Sequence, residues 1–299
     1  MPESQSLVVR AVSPNAPGVF GAVVQAIEGA GGRVGNTSVA SYNEKRMVRD
    51  YTVTAADPQR VVDAVAGVEG VTVDPEGRAL DGHRGGVLDM RSRTSLTTRD
   101  DLAMAYTPGV ARVCMAIHDD FDQAWDYTIK GNSVMVVTDG SRVMDLGDIG
   151  AEAALPAGEA KAFAMRSLAG IDAFPLPVDA KDVDEIVNTV ALCSSVFAAV
   201  YLHDMAPDRM AAVKTGLESR LDIPVLTQEE AAKAGGGDDV AAAPGILRGL
   251  LDCRATKVTP AVLDAAAGVA GGSPLADGHA GAVADAVVGA ATTEGLNRR

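Results

Sequence analysis

The sequence predicts an α/β protein with two modules: a small βαββαβ unit, then a larger layer of alternating strands and helices. Two observations predict this class. Up to about residue 74, short β-rich runs and two helical patterns follow one another in the order βαββαβ. After residue 94, buried apolar strands alternate with helical patterns. Such alternation is typical of a largely parallel sheet.

The elements of the first module follow from local patterns. SLVVRAV is a predicted strand, and the turn residues SPNAPG come after it. Apolar residues then recur at helical spacing from Val19 to Ile27, before the stop GAGG. RVGNTSVASY and MVRDYTVT are predicted strands joined by the polar turn NEKR. A second helix is expected after Asp57, a suitable N-cap, with Pro58 at its first position. VTVD is the last predicted strand.

This first module resembles an ACT domain, a small regulatory ferredoxin-like module that binds amino acids or related metabolites. The resemblance covers about residues 6–74 and depends on the strand order and on SPNAPGVF at the first strand-to-helix turn. In that family this turn holds the ligand, which implies Asn15 and Gly18 as ligand-binding residues. Free N–H groups at a helix start would attract a carboxylate. We expect residues 1–82 to form this domain and residues 83–93 to form a linker.

The elements of the second module are predicted in the same way. SVMVVTD is a buried strand ending at Asp139, PAGEAKAFAMRSLAG is a helix ending at Gly170, and DAFPLPVD is extended. VDEIVNTVALC is an amphipathic helix, and VFAAVYL and DIPVL are buried strands. Ligands of such sheets lie at the carboxyl ends of the strands. Acidic residues follow two of these ends, at His203-Asp204 and at Glu229.

The second module resembles the malic enzymes. The motifs AYTPGVA, TIKGNSVMVVTDGSRVMDLGDIG, AGIDAFPLPVD and DIPV occur in that family's order and at its spacing. The resemblance covers roughly residues 94–230 and resumes at APGILRGLLDCRA. It implies a substrate domain of the malic enzyme N-terminal type over residues 94–234. Residues 235–299 are then expected to form a C-terminal helical tail packed on that domain, in which PGILRGLLDCRATKVTPAVLDAAAGVAGG, from Pro244, and GAVADAVVGAATTEGLNRR are the helical segments.

The resemblance also implies site residues. The family converts malate to pyruvate by hydride transfer to NAD(P), metal-assisted loss of CO₂ and protonation of enolpyruvate. Tyr106 matches the family's general acid, and Lys161 matches its general base. Arg142 matches a residue that clamps a substrate carboxylate, for which the fork of an arginine side chain is well suited.

Two features of the site depart from the family. Where the family has a metal-binding Glu-Asp pair, this chain has His203-Asp204, and Glu229 falls on a further metal-binding aspartate. This set could still hold Mg²⁺ or Mn²⁺. Where the family has two substrate-binding asparagines, the chain has Asp238 and Asp239. Two carboxylates there would repel a dicarboxylate unless a metal or a lysine intervenes.

The third departure concerns the nucleotide. GGGDDVAAAPG, which precedes the returning segment, follows no predicted strand and holds no fingerprint such as GxGxxG. We therefore expect no Rossmann domain and regard NAD as an unlikely cofactor. Three functions remain open. The favoured one is a metabolite-binding pseudoenzyme. The others are a metal-assisted oxaloacetate decarboxylase or enolpyruvate tautomerase using Tyr106 and Lys161, and a malic enzyme completed by a partner chain.

Composition limits the partners. The formal net charge of −14 argues against nucleic acid and against anionic membranes. No apolar run suits a spanning helix, and the N-terminus lacks a signal-peptide pattern. Three widely spaced cysteines are typical of reduced, buried thiols in a cytoplasmic protein: Cys114, Cys193 and Cys253. We expect a cytoplasmic homodimer that binds a small dicarboxylate or an amino acid.

Overall fold

The structure is a computed structural model that describes residues 5–74, 80, 82–144 and 146–298. The chain divides into two compact units, residues 1–85 and residues 86–299. Among the described residues, no helix combines the length and the apolar character needed to cross a membrane.

The first unit has the predicted order βαββαβ. Among its described residues, the strands lie in the order β2-β3-β1-β4 and every neighbouring pair is antiparallel. The predicted start of the second helix is confirmed, because Asp57 Oδ1 accepts a hydrogen bond from the N–H of Arg60 at 3.1 Å. The elements are β1 (Gln5–Pro14), α1 (Val19–Gly29), β2 (Arg33–Tyr42), β3 (Arg46–Ala55), α2 (Pro58–Ala66) and β4 (Thr72–Val73).

The core of the first unit lies between its sheet and helices α1 and α2. Val9 of β1 and Val53 of β3 are fully buried, as are Ile27 of α1 and Val61 of α2. The chain enters β2 through Gly32, where an added Cβ would lie 2.9 Å from methyl carbons of both Ile27 and Val53. Only a glycine therefore allows α1 and the sheet to approach this closely.

The second unit is a parallel sheet with helices packed on it. Its described strands lie in the order β6-β5-β7-β8, and every neighbouring pair is parallel, as predicted. The strands are β5 (Ser133–Thr138), β6 (Asp172–Pro177), β7 (Ala199–Leu202) and β8 (Val225–Thr227). The helices are α3 (Arg99–Ala105), α4 (Gly109–Asp119), α5 (Ala124–Tyr127), α6 (Ala151–Ala169), α7 (Val183–Cys193), α8 (Pro207–Glu218), α9 (Gln228–Ala234), α10 (Asp239–Asp252), α11 (Pro260–Ala267) and α12 (His279–Thr293).

Packing in the second unit brings two helices together over the sheet. Helix α6 contacts β5 and β6, and helix α10 contacts β7, α6, α9 and α12. Every residue of β5 and β7 is buried. Strands buried on both faces read as continuous apolar runs, which explains why SVMVVT and AVYL show no polar alternation.

Helices α6 and α10 begin earlier than the sequence predicts. The predicted starts are Pro156 and Pro244, whereas the observed starts are Ala151 and Asp239. A proline inside a helix removes one backbone hydrogen bond and crowds the preceding turn. In α10, burial around the proline offsets this cost, because residues 241–247 are all buried. In α6, Pro156 itself is exposed, and the helix is packed through Ala154, Ala157 and Gly158. The early start of α10 puts Asp239 in its first turn.

The expectation of buried cysteines is wrong. Cys114 and Cys193 are exposed, and Cys253 is half-buried. Cys114 lies on α4, which has no buried residue in a range that is described throughout, and Cys193 is the last residue of α7. Wide spacing of cysteines argues against a disulfide framework, but it does not tell which face of a helix each thiol occupies.

Candidate functional site

The site begins with two aromatic rings at the end of β7. Tyr201 and His203 are two residues apart, so their side chains point to the same face of the sheet. Both are fully buried, and their rings are parallel, with centroids 6.2 Å apart and an interplanar angle of 6°. Helix α6 passes over them at Gly158, where an added Cβ would lie 3.6 Å from His203 Nε2. Lys161 lies three residues further on, and therefore on the same face of α6.

Asp239 joins α10 to both α6 and β7. Its carboxylate accepts hydrogen bonds from Lys161 Nζ, at 2.9 Å to Oδ1 and 2.7 Å to Oδ2, and from the Tyr201 hydroxyl at 2.6 Å to Oδ2. Burial and the charge of Asp239 raise the pKa of Tyr201 well above its ordinary value, so the phenol keeps its proton and donates it. The arrangement is a carboxylate bound by one ammonium and one hydroxyl, which we call the Lys161–Tyr201 donor pair.

Little space remains beside this carboxylate. A cavity of about 10 Å³ adjoins Lys161, Tyr201, Asp239 and Pro244. That volume is at the lower limit for one water molecule. A dicarboxylate cannot reach the donor pair unless the side chain of Asp239 moves.

The turn between α9 and α10 sets the position of Asp239. Gly236 and Gly237 adopt positive φ angles of 71° and 111°, which side chains with a Cβ rarely adopt. At Gly235, a Cβ would lie 2.0 Å from the carbonyl oxygen of Asp238. The three glycines therefore form one compact turn, after which α10 starts directly at Asp239.

The other residues expected from the malic enzyme resemblance are placed differently. Asp238 is exposed and caps α10, with Oδ1 accepting a hydrogen bond from the N–H of Val240 at 2.9 Å. Tyr106 is 66% exposed at the end of α3, and Arg142 is exposed. Among the described residues, hydrogen bonds of the Lys161 side chain join it to Asp239 and to neither Tyr106 nor Arg142. Of Tyr106, Arg142, Asp238 and Asp239, the structure therefore joins only Asp239 to Lys161 by a side-chain hydrogen bond among the described residues.

The residues expected to bind a metal are only partly brought together. His203 Nδ1 lies 3.1 Å from Asp204 Oδ2, and His203 Nε2 is buried with no hydrogen-bond partner among the described residues. Burial alone would raise the pKa of Asp204, but the contact with His203 and the charge of Lys161 outweigh it and lower that pKa. Glu229 is exposed in the first turn of α9.

This arrangement does not fit a divalent metal. In the ranges that the structure describes, no group of three His, Cys, Asp or Glu side chains is placed to hold an ion. A divalent cation takes six or more oxygen ligands, or about four when nitrogen ligands contribute. Of the expected set, His203 and Asp204 hydrogen-bond to each other, whereas Glu229 is exposed at the start of α9.

The residues expected to bind a ligand in the first unit have backbone roles. The Asn15 side chain donates a hydrogen bond to the carbonyl of Asn43 at 2.8 Å, and its own N–H donates to the carbonyl of Lys45 at 3.2 Å. Asn15 thereby fixes the turn between β2 and β3. Gly18 has φ 90° and is the N-cap of α1, without a side-chain capping bond. The N–H groups of the first turn of α1 consequently have no side-chain acceptor at the cap.

Sequence reasoning missed Tyr201. The residue lies inside VFAAVYL, where an aromatic side chain is indistinguishable from ordinary core. The available signal is its spacing of two from His203, which puts both on one face of β7. The second missed feature is the pairing of Lys161 with Asp239, because 78 residues separate them.

Comparisons with known proteins agree with the geometry of the second unit. A family model described as malic enzyme, N-terminal domain, matches residues 88–215. An NAD-dependent malic enzyme of Geobacillus stearothermophilus is 40% identical over 215 residues, which are 71% of this chain and 45% of that protein. A bifunctional malic/malolactic enzyme of Bacillus subtilis is 44% identical over 145 residues, or 48% of this chain and 35% of that protein. The chain therefore spans less than half the length of either relative.

A solved structure shows the same fold. The crystal structure of malic enzyme from Pyrococcus horikoshii superposes with a TM-score of 0.71, covering 75% of this chain and 92% of that chain. Sequence identity over the superposed part is 21%.

Proposed function

We propose that this protein, whose residues 88–215 match the model of the malic enzyme N-terminal domain, is a non-oxidative, metabolite-binding relative of the malic enzymes, a regulatory pseudoenzyme. The observation that carries the proposal is the ion pair between Lys161 and Asp239. This ion pair engages Lys161, the residue that the family resemblance implies as the general base.

A general base needs an unprotonated nitrogen within reach of the substrate proton. Here both oxygens of one carboxylate bind the Lys161 ammonium, at 2.7 and 2.9 Å. These charge-assisted hydrogen bonds hold the lysine nitrogen against Asp239 and away from a substrate. Tyr106, the implied general acid, is 66% exposed, so solvent competes with any substrate for its hydroxyl. Both observations favour binding over turnover.

The proposal includes the absence of nucleotide chemistry from this part of the chain. After β8, the described residues pass through α9 and a glycine turn directly into α10. The sequence GGGDDVAAAPG at this point supplies no phosphate-binding fingerprint. The NAD dependence named for the relatives is therefore not part of the proposal for this chain.

For the first unit we propose an ACT-type ligand module that binds an amino acid or a related metabolite. Two observations support this: the βαββαβ order of the elements, and the N-cap of α1, which is Gly18 and has no side chain to accept a hydrogen bond. The N–H groups that follow Gly18 suit a carboxylate. The anchoring of Asn15 to the β2–β3 turn would keep this binding turn in place.

We further propose that two copies associate. Helices α3 and α4, both described throughout, contain no buried residue, and they expose Met104 at 77% and Met115 at 55%. The two helices contact each other, and large exposed apolar side chains on neighbouring helices support an interface between chains. Sedimentation velocity would detect the dimer, and a concentration-independent monomer would contradict it.

A second candidate is decarboxylation of oxaloacetate, which needs no hydride acceptor. This candidate is favoured because the Lys161 nitrogen and the Tyr201 hydroxyl contact the same oxygen of Asp239, so an amine and a hydroxyl lie together. The two candidates differ because only the second predicts turnover of a substrate.

The test combines a ligand screen with an activity assay. The purified chain is screened by thermal unfolding against amino acids and small dicarboxylates, and is assayed for NADH formation with L-malate, NAD and Mn²⁺. We expect a rise in melting temperature with at least one ligand and no NADH above the protein-free control. NADH formation at an enzyme-like rate would overturn the proposal.

A further inference from the structure

Lys161 and Tyr201 direct two hydrogen-bond donors at one point. The Lys161 ammonium donates to the Asp239 carboxylate at 2.7 Å, and the Tyr201 hydroxyl donates at 2.6 Å to the same oxygen, Oδ2. Tyr201 is fully buried, and its side chain is fixed between the sheet and α10. A positive ammonium and a buried hydroxyl on one oxygen are the groups that would bind the carboxylate of a small metabolite.

We propose that the Lys161–Tyr201 donor pair is a carboxylate-binding site, that Asp239 occupies it as an internal ligand, and that a free carboxylate binds only by displacing Asp239. The inference rests on the proposed metabolite-binding function and adds to it the ligand class, the two binding groups and the competing residue.

The position of Asp239 allows such an exchange. Asp239 is the first residue of α10, so its backbone N–H has no partner within the helix. Its side chain can turn away without unwinding α10, whose residues 241–247 are buried and keep the helix in place. The side chains of Lys161 and Asp239 are 19% and 12% exposed, so the pair borders solvent and a small anion can approach it.

An occupant from the same chain competes strongly. Tethering raises the effective concentration of a ligand to the millimolar range or above, so a free carboxylate must exceed roughly that concentration to displace it. The cavity of about 10 Å³ beside the pair leaves no room for a second carboxylate, so Asp239 and a free ligand exclude each other. Exchange of Asp239 for a neutral amide removes the internal charge and should expose the donor pair to ligands.

The test is calorimetric titration of L-malate and of pyruvate into the full chain and three variants. In Asp239→Asn, we expect affinity for at least one of these carboxylates to rise about tenfold or more, because a charged hydrogen-bond acceptor no longer competes. Asp208→Asn removes a carboxylate from the first turn of another helix, α8, where it is exposed, and should bind like the wild type. Lys161→Met in the Asp239→Asn background should lose the gain.

Equal affinities of the wild type and Asp239→Asn for both carboxylates would overturn the inference, even if the wild type binds some other ligand as proposed above. A gain in Asp239→Asn together with no ligand for the wild type would support the inference and contradict the proposed function. Circular dichroism checks the fold of each variant. Should Asp239→Asn not fold, Asp239→Ala takes its place. Failure of both to fold would show that Asp239 is a structural residue, which also overturns the inference.

Discussion

The Nζ atom of Lys161 lies 2.7 Å from Oδ2 of Asp239, across 78 residues of chain. The contact ties the middle of α6 to the first turn of α10, and both side chains are largely shielded from solvent. If one of two such shielded charges is removed, the other remains desolvated without a partner, which costs free energy. We therefore expect the stability of the second unit to depend on this contact, on which the proposed function also rests.

Removing one partner of the pair should destabilise the second unit. We expect Lys161→Met to lower the free energy of unfolding by about 1–3 kcal/mol, less than for a fully buried pair because both side chains keep some exposure. Adding Asp239→Asn should recover part of that loss. Urea unfolding of both single variants and the double variant measures the coupling, and additivity within about 0.5 kcal/mol would contradict a real interaction.

Glycine at position 245 should be required for the packing of α10 on α12. A Cβ there would lie 2.5 Å from Val283 Cβ and 2.8 Å from the carbonyl oxygen of Ala280. Gly245→Ala should therefore cost about 1–3 kcal/mol through overpacking. Gly289→Ala is the matched control on α12, since nothing lies within 4 Å of its added Cβ. There we expect a gain of up to about 1 kcal/mol from helix propensity. Equal effects of the two changes would contradict the close approach.

The stability of the first turn of α3 should decrease at acid pH. N–H groups of Thr97 and Thr98 donate to the Asp101 carboxylate and lower its pKa from 3.8 to about 2. Because the folded value is the lower one, this contribution to stability is present above pH 3.8 and is lost as the pH falls toward 2. Carbon-13 NMR titration of the carboxyl groups measures it. A value near 3.8 in the folded chain would contradict the capping bonds, and the same titration in urea supplies the reference.

The three thiols should react at different rates in the folded chain. Cys114 and Cys193 are exposed, whereas Cys253 is half-buried and burial raises its pKa. A lower thiolate fraction and restricted access both slow reaction with a disulfide reagent. With Ellman's reagent at neutral pH we expect two fast thiols and one slow thiol. Cys253→Ser should remove only the slow phase, and three equal rates would show that Cys253 is as accessible as the others.

Much of the fold could be predicted from local patterns. The four described strands of the second unit, of which β5, β7 and β8 are buried throughout, are short, largely apolar runs bounded by turn residues, and each was recognisable because of its length and its neighbours. Asp57 and Pro58 gave the start of α2 for a purely local reason. Prolines misled the prediction at α6 and α10, because packing of the rest of each helix offsets one missing hydrogen bond and the sequence alone does not show that packing.

The site was harder to predict because its groups come from three distant elements. Lys161 and Asp239 were each identified by resemblance, but the ion pair between them depends on how α10 lies against α6. Asp238 and Asp239 are adjacent in sequence and were expected to act together, yet the helix start turns one to solvent and the other inward. The departure from two asparagines therefore produces one capping residue and one internal partner for a lysine.

The most direct test is the rate of pyruvate release from oxaloacetate in the presence of Mn²⁺. This rate shows whether Lys161 stays paired with Asp239 or acts on a substrate. We expect the wild type and Lys161→Met to release pyruvate equally, and no faster than Mn²⁺ without protein. Release by the wild type well above that background, and its loss in Lys161→Met, would show a working catalytic lysine and contradict the proposed role of the ion pair.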